Sequence, residues 1–91
     1  MVTDIDLLRK EIRFRARRGL KEMDLLFAHF LARYLDTLTS EALIELRDLL
    51  LCFDQDLLAW LIEGQLPANR RSALTAQLQA CARQLWQGEV T

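Results

Sequence analysis

The chain has few of the residues that interrupt helices or build turns, with only three glycines and one proline among 91 residues. An all-β domain needs turn signals between many short strands, and this composition does not supply them. Leu, Ala, Arg, Gln and Glu are abundant instead, and all of them favour helices. With 52% hydrophobic and 27% charged residues, the composition also differs from that of disordered chains. We therefore expect an all-α fold, a compact five-helix bundle in which residues 1–91 form a single domain.

Residues that bind metals or form disulfides are scarce as well. Cys52 and Cys81 lack C-x-x-C spacing and lie in apolar helical patterns, which predicts buried free thiols in a reducing compartment. His29 is the only histidine, and no second metal ligand lies at helical spacing from it. The sequence contains no apolar run of about 18 residues and no signal-peptide pattern. We expect a cytoplasmic protein without a metal site.

Positive charge is concentrated near the N terminus, although the formal net charge is only -1. Residues 9–21 include seven Lys or Arg residues and one acid, Glu11. Such a segment can neutralise phosphates, so a nucleic-acid-binding protein is the alternative function. Against that alternative, Phe14 is the only aromatic among these cations, no recognition helix is identifiable, and the rest of the chain is acidic.

Capping residues and apolar periodicity predict the positions of the helices. Thr3 and Asp6 have the spacing of a capping box, so the first helix should run from about residue 4 to 18 and end at Gly19. A strongly amphipathic second helix is expected over 20–37, and Thr39 should cap a third helix with Phe53 on its inner side. A short fourth helix should begin at residue 54, and a fifth should span 69–86. The predicted core residues are Leu26, Phe27, Phe30, Leu31, Tyr34, Leu46, Leu50, Trp60, Leu61 and Leu78.

No group of residues has the pattern of a catalytic site. Asp54 and Asp56 are two carboxylates at the start of a helix, where capping is a more common role than acid–base catalysis. No nucleophile lies beside a plausible base, and the phosphate-binding and dinucleotide-binding glycine motifs are absent. We expect neither an enzyme nor a catalytic residue.

The most informative segment is residues 17–24, R-R-G-L-K-E-M-D. Gly19 interrupts the helical pattern and can adopt a positive φ, which lets another backbone approach closely. Arg18 and Glu22 flank it with opposite charges that the core does not require. Glu22, Leu25 and His29 lie on the side of the second helix opposite its apolar stripe. Local chemistry alone also allows a simple C-cap glycine between two solvated charges.

The same segment resembles the small bacterial factors that assist covalent FAD attachment to the flavoprotein subunit of succinate dehydrogenase. Those factors share an R-G-x-x-E motif followed by an acid and an apolar run, and here residues 18–22 read R-G-L-K-E with Asp24 next. Phe14 lies five residues before the glycine, where relatives often have Trp. With the block D-Q-D-L-L-A-W-L at 54–61, the likeness covers roughly residues 8 to 70.

The resemblance implies a non-enzymatic assembly factor whose partner is the flavoprotein subunit of succinate dehydrogenase, with fumarate reductase as a further client. It implies no stably bound cofactor, since the FAD is attached within the partner. Arg18 is expected to pair with a partner carboxylate, and Glu22 with a partner cation or histidine. Members of this family have also been labelled antitoxins, so antitoxin-type regulation stays open beside nucleic-acid binding. The implied partner-binding residues are Arg17, Arg18, Gly19, Glu22, Asp24, Leu25 and His29.

Overall fold

A computed structural model describes residues 3–90, with side chains described as far as residue 86. Over this range the chain is helical and contains no strand, which confirms the all-α prediction. A 3₁₀ turn extends the second helix over Leu35–Thr37, and a π-helical turn extends the fourth over Leu58–Ile62. The five α-helices are α1 (Asp4–Arg15), α2 (Lys21–Tyr34), α3 (Ser40–Leu50), α4 (Asp54–Leu57) and α5 (Ala73–Val90).

Side-chain hydrogen bonds fix the starts of α1 and α3. The Thr3 hydroxyl accepts a bond from the Asp6 N–H at 3.1 Å, and the Asp6 carboxylate accepts one from the Thr3 N–H at 3.3 Å. This is the predicted capping box, and its bonds from Thr3 lower the pKa of Asp6 below the usual value. Thr39 caps α3 by accepting from the Ala42 N–H, also as predicted.

Two helix boundaries differ from the prediction. α1 ends at Arg15 and not at residue 18, because the Arg17 N–H donates to the carbonyl three residues back and the Arg18 N–H donates to the Asp24 carboxylate outside the helix. α5 begins at Ala73 and not at residue 69. There the Ser72 hydroxyl accepts from the Thr75 N–H at 3.2 Å, and the Thr75 hydroxyl accepts from the Ser72 N–H at 2.9 Å. This reciprocal pair starts α5 after a separate 3₁₀ turn over Ala68–Arg70.

The hydrophobic core lies between two layers of helices. α1 packs on α3, α2 packs on α5, and the π-helical turn after α4 also packs on α5. Leu31, Tyr34 and Trp60 are only partly buried and pack against the core from outside. The other predicted core residues are buried, namely Leu26, Phe27, Phe30, Leu46, Leu50, Leu61 and Leu78.

Phe53 does not lie in the core, contrary to the prediction. Its side chain is 79% exposed. α3 ends at Leu50, so the helical spacing that would carry residue 53 inward no longer applies there.

The cysteines also differ from each other. Both are free, but Cys81 is buried, which raises the pKa of its thiol, whereas Cys52 is half-buried. Within the described residues, no helix is long and apolar enough to cross a bilayer.

Phe30 gives a direct test of the core, because its side chain is fully buried. We expect Phe30→Ala to lower the free energy of unfolding by about 3–5 kcal/mol, since it removes buried surface and leaves a cavity. The matched control is Phe53→Ala, which should change stability by no more than about 0.5 kcal/mol because Phe53 is exposed. Urea denaturation followed by circular dichroism measures both. Equal losses would show that the core has been assigned wrongly.

Candidate partner-binding site

The loop between α1 and α2 carries the motif glycine. α1 is closed by Ala16, whose N–H donates to the Ile12 carbonyl at 2.9 Å, so the helix cap lies three residues before Gly19. Gly19 therefore does not serve as the C-cap glycine of α1. It has φ +83°, in the left-handed region that favours glycine, and a Cβ placed there would meet no atom within 4 Å. The backbone conformation selects glycine at this position, and the space above it is open.

The Arg18 side chain reaches from this loop to the far end of α3. Its Nε donates to Oδ1 of Asp54 at 2.7 Å, and its terminal nitrogens donate to the carbonyls of Arg15, Leu50 and Cys52. A guanidinium carries five N–H groups, so four of them are used inside the chain. The side chain is only 14% exposed. Arg18 thus joins the end of α1, the end of α3 and the start of α4.

This arrangement corrects the expected roles of Arg18 and Asp54. Arg18 is not a free cation awaiting a partner carboxylate, because its donors are occupied by the chain itself. Asp54 does not cap α4, since its carboxylate accepts from Arg18 and α4 has no side-chain cap bond at its start. Asp56, two residues on, is exposed.

Asp24 also has an internal partner. Its Oδ1 accepts from the backbone N–H of Arg18 at 2.7 Å, which ties the first turn of α2 to the loop. Both the side chain and the backbone of Arg18 are therefore fixed. The loop is therefore anchored at two points, by the bond to Asp24 and by the bonds of the Arg18 side chain.

Three of the predicted partner-binding residues lie on the outward side of α2. Leu25 is exposed, and Glu22 and His29 are half-buried. His29 lies 3.4 Å from the Arg33 guanidinium through its Nε2. Among the described residues, none forms a hydrogen bond or ion pair with the Glu22 carboxylate. Contact of these residues with a partner stays a prediction.

An open groove of about 530 Å³ separates α2 from the end of α1. Arg13 and Arg17 line it from α1 and the loop, and Ala28 and Ala32 line it from α2. Arg17 is exposed, as a contact residue requires, and lies on this groove together with Asp24. The small alanine side chains leave the groove accessible along the outer part of α2.

The N-terminal basic cluster is partly neutralised by acids of the same chain. Most of these ion pairs are exposed and contribute little stability, but each reduces the positive charge available for phosphates. Four of the seven cations in residues 9–21 lie near an acid, in the pairs Arg9–Asp6, Arg13–Asp36, Arg15–Glu11 and Arg18–Asp54. This arrangement weakens the nucleic-acid alternative.

The exposure of three apolar side chains near the ends of α1 and α3 was not predicted from the sequence. Phe14 is 77% exposed, and Leu51 is 58% exposed. Together with Phe53 they lie outside the core. The signal for Phe14 was its position two residues from the buried Ile12, on the opposite side of α1. No comparable signal existed for Phe53, because its exposure depends on where α3 ends.

Comparison with known proteins identifies the family. The family model described as "Flavinator of succinate dehydrogenase" matches residues 10–82. The chain belongs to this family. The match includes the flavinator motif at 18–22, and it confirms the resemblance inferred from that motif.

A curated flavinator-family relative is the "FAD assembly factor SdhE" of Idiomarina loihiensis, which is 37% identical to this chain over 57 residues. The alignment covers 63% of this chain and 63% of that protein, so the chain spans less than two thirds of the relative's length. No solved structure matches the chain.

The internal role of Arg18 can be tested by stability alone. We expect Arg18→Lys to lower the free energy of unfolding by about 2 kcal/mol, because a lysine cannot bind four acceptors in a fork and leaves partly buried carbonyls unpaired. Arg17→Lys is the matched control, since Arg17 is exposed, and should change stability by less than about 0.5 kcal/mol. Urea denaturation measures both variants. If Arg18→Lys left the free energy of unfolding unchanged, the internal role of Arg18 would be contradicted.

Proposed function

We propose that this chain promotes the covalent attachment of FAD to the flavoprotein subunit of succinate dehydrogenase. It binds that subunit through the outward face of α2 and the loop that precedes it. The proposal is supported by the flavinator family match and by the name of the relative, an FAD assembly factor. It acts in the cytoplasm, and fumarate reductase is a further client.

The observation that carries this proposal is the position of Glu22. Its carboxylate has no partner within the described part of the chain, and it lies in the first turn of α2, next to a loop that Arg18 holds in place. A charged group on a rigid support loses little conformational freedom when it binds, so more of its interaction energy contributes to affinity. Glu22 accepts a hydrogen bond from a cation or histidine of the flavoprotein.

The neighbouring residues have two kinds of role in this proposal. Gly19 leaves open space where a side chain would otherwise stand, so the partner backbone approaches there. Arg17, Leu25 and His29 supply contacts around Glu22. Arg18 acts as a positioning residue through its internal bonds, and Asp24 does so through its bond to the Arg18 N–H.

The chain contributes orientation, and the flavoprotein with its FAD contributes the chemistry. Fixing two reacting groups in the right geometry can supply a large part of a rate enhancement without any catalytic group from the assembly factor. No residue of this chain is therefore assigned a catalytic role. We propose that the protein binds no cofactor stably and acts on FAD attachment within the partner.

The Glu22 carboxylate can be tested without disturbing the fold. We expect Glu22→Ala to keep the thermal midpoint of the wild type, since it removes no internal bond, and to reduce flavinylation of succinate dehydrogenase in cells. In-gel flavin fluorescence of the denatured subunit measures the covalent FAD. Glu41→Ala is the control, because Glu41 is also an acid in the first turn of a helix and is exposed. Full flavinylation with a stable Glu22→Ala protein would remove Glu22 from the site.

The two positive-φ glycines provide a second test. Gly19 and Gly64 have φ of +83° and +77°, and both have open space where a Cβ would stand. Substitution of either glycine by Ala should lower the free energy of unfolding by about 1–2 kcal/mol, because the left-handed backbone conformation is unfavourable for a residue with a Cβ. Only Gly19→Ala should weaken capture of the flavoprotein subunit, measured by pull-down with purified proteins. Equal weakening by both variants would mean that lost stability, not the site, explains the effect.

A further inference from the structure

Two of the four phenylalanines of this chain have largely exposed side chains, one near the end of α1 and one just after α3. Phe14 is 77% exposed on the outer side of α1, and Phe53 is 79% exposed just after α3. Leu51, two residues before Phe53, is 58% exposed. Single exposed apolar residues are common, but large exposed side chains gathered in one region mark interaction sites.

The Arg18 guanidinium joins the backbone segments that adjoin these residues. It binds the carbonyl of Arg15, which follows Phe14, and the carbonyls of Leu50 and Cys52, which flank Leu51. The backbones that carry the three exposed side chains are thus held together by one group. We call Phe14, Leu51 and Phe53 the apolar end cluster.

The cluster continues the surface proposed for the flavoprotein. On α2, Ala28 lies three residues after Leu25, and it lines the groove that leads to α1. Arg13 lines the same groove from α1, and it adjoins Phe14 in sequence. A partner that covers Glu22 and Leu25 and extends across the groove therefore reaches Phe14 next.

The charges around Phe14 select the kind of partner. Lys10, Arg13 and Arg17 are exposed and near it in sequence, and Lys10 lies four residues before it on the same side of α1. In a symmetric dimer centred on Phe14, the same cations of two copies would face each other, which is unfavourable. A different protein with carboxylates around an apolar spot fits this surface better.

We propose that the apolar end cluster is a second contact region for the client flavoprotein, which inserts an apolar spot bordered by acidic side chains against Phe14 and Phe53. This inference rests on the proposed function and extends its binding surface beyond the motif. The cluster supplies buried apolar area for affinity, while Glu22 supplies a directed polar contact.

The test compares two double variants with the purified flavoprotein subunit as the probe. The variant Phe14→Ser with Phe53→Ser, called the cluster variant, removes the two aromatic side chains of the cluster. The control variant, Leu7→Ser with Ile44→Ser, removes two other exposed apolar side chains, one on α1 and one on α3. Both should keep the thermal midpoint of the wild type within a few degrees, because all four residues are exposed.

We expect the cluster variant to bind the subunit about tenfold more weakly than the wild type, and the control to bind as the wild type does. Arg17→Glu should also weaken binding, and the loss of affinity should be larger at low salt than at high salt, because salt screens the repulsion between the new carboxylate and the partner's acids. Wild-type affinity in the cluster variant, together with weak binding by Glu22→Ala, would overturn this inference and leave the proposed function intact. A wild type that does not bind the subunit would overturn both.

Self-association is measured alongside by sedimentation velocity. We expect the wild type and the cluster variant to sediment alike as single copies. A wild-type dimer that the Phe14 and Phe53 substitutions dissociate would assign the cluster to a second copy of this chain, and it would overturn the inference.

Discussion

The rest of the site depends on the hydrogen bonds that the Arg18 guanidinium makes within the chain. The guanidinium is largely buried and makes four hydrogen bonds, to the Asp54 carboxylate and to three carbonyls at the ends of α1 and α3. A buried cation of this kind must be paired, and losing either the cation or its carboxylate leaves the other group uncompensated. The bonds join segments that are 32–36 residues apart in sequence. They therefore fix the loop that contains Gly19 and the start of α2, where Glu22 lies.

The fold could be predicted from the sequence because its signals are local. Thr3, Asp6 and Thr39 cap helices through residues only three positions away, so their spacing identified those helix starts. The end of α1 was predicted three residues too late because the Arg18 N–H donates to the Asp24 carboxylate, six residues on, and not to a carbonyl of the helix. The inward position predicted for Phe53 was wrong for a similar reason, since helical periodicity does not report where a helix stops.

The site was predicted only in part. Helical spacing correctly predicted that Leu25 is exposed, whereas Glu22 and His29 are half-buried beside the apolar stripe of α2. The motif drew attention to Gly19, which has a positive φ. The sequence could not show that Arg18 binds Asp54, because many cations could have reached that acid in a chain with 12 Lys and Arg residues. The two charged residues at the ends of the R-G-x-x-E motif therefore differ in their contacts. Its arginine binds other segments of the chain, and its glutamate forms no hydrogen bond or ion pair among the described residues.

The central claim is that the ion pair between the motif arginine, Arg18, and Asp54, 36 residues later in the chain, fixes the conformation of the motif loop. Hydrogen–deuterium exchange of peptides covering residues 16–22 measures it directly, in the wild type, Asp54→Asn and Asp56→Asn. Asp54 accepts from Arg18, whereas Asp56 is exposed and serves as the control. The account predicts faster exchange of the loop and the first turn of α2 in Asp54→Asn alone. Unchanged exchange in Asp54→Asn would contradict it.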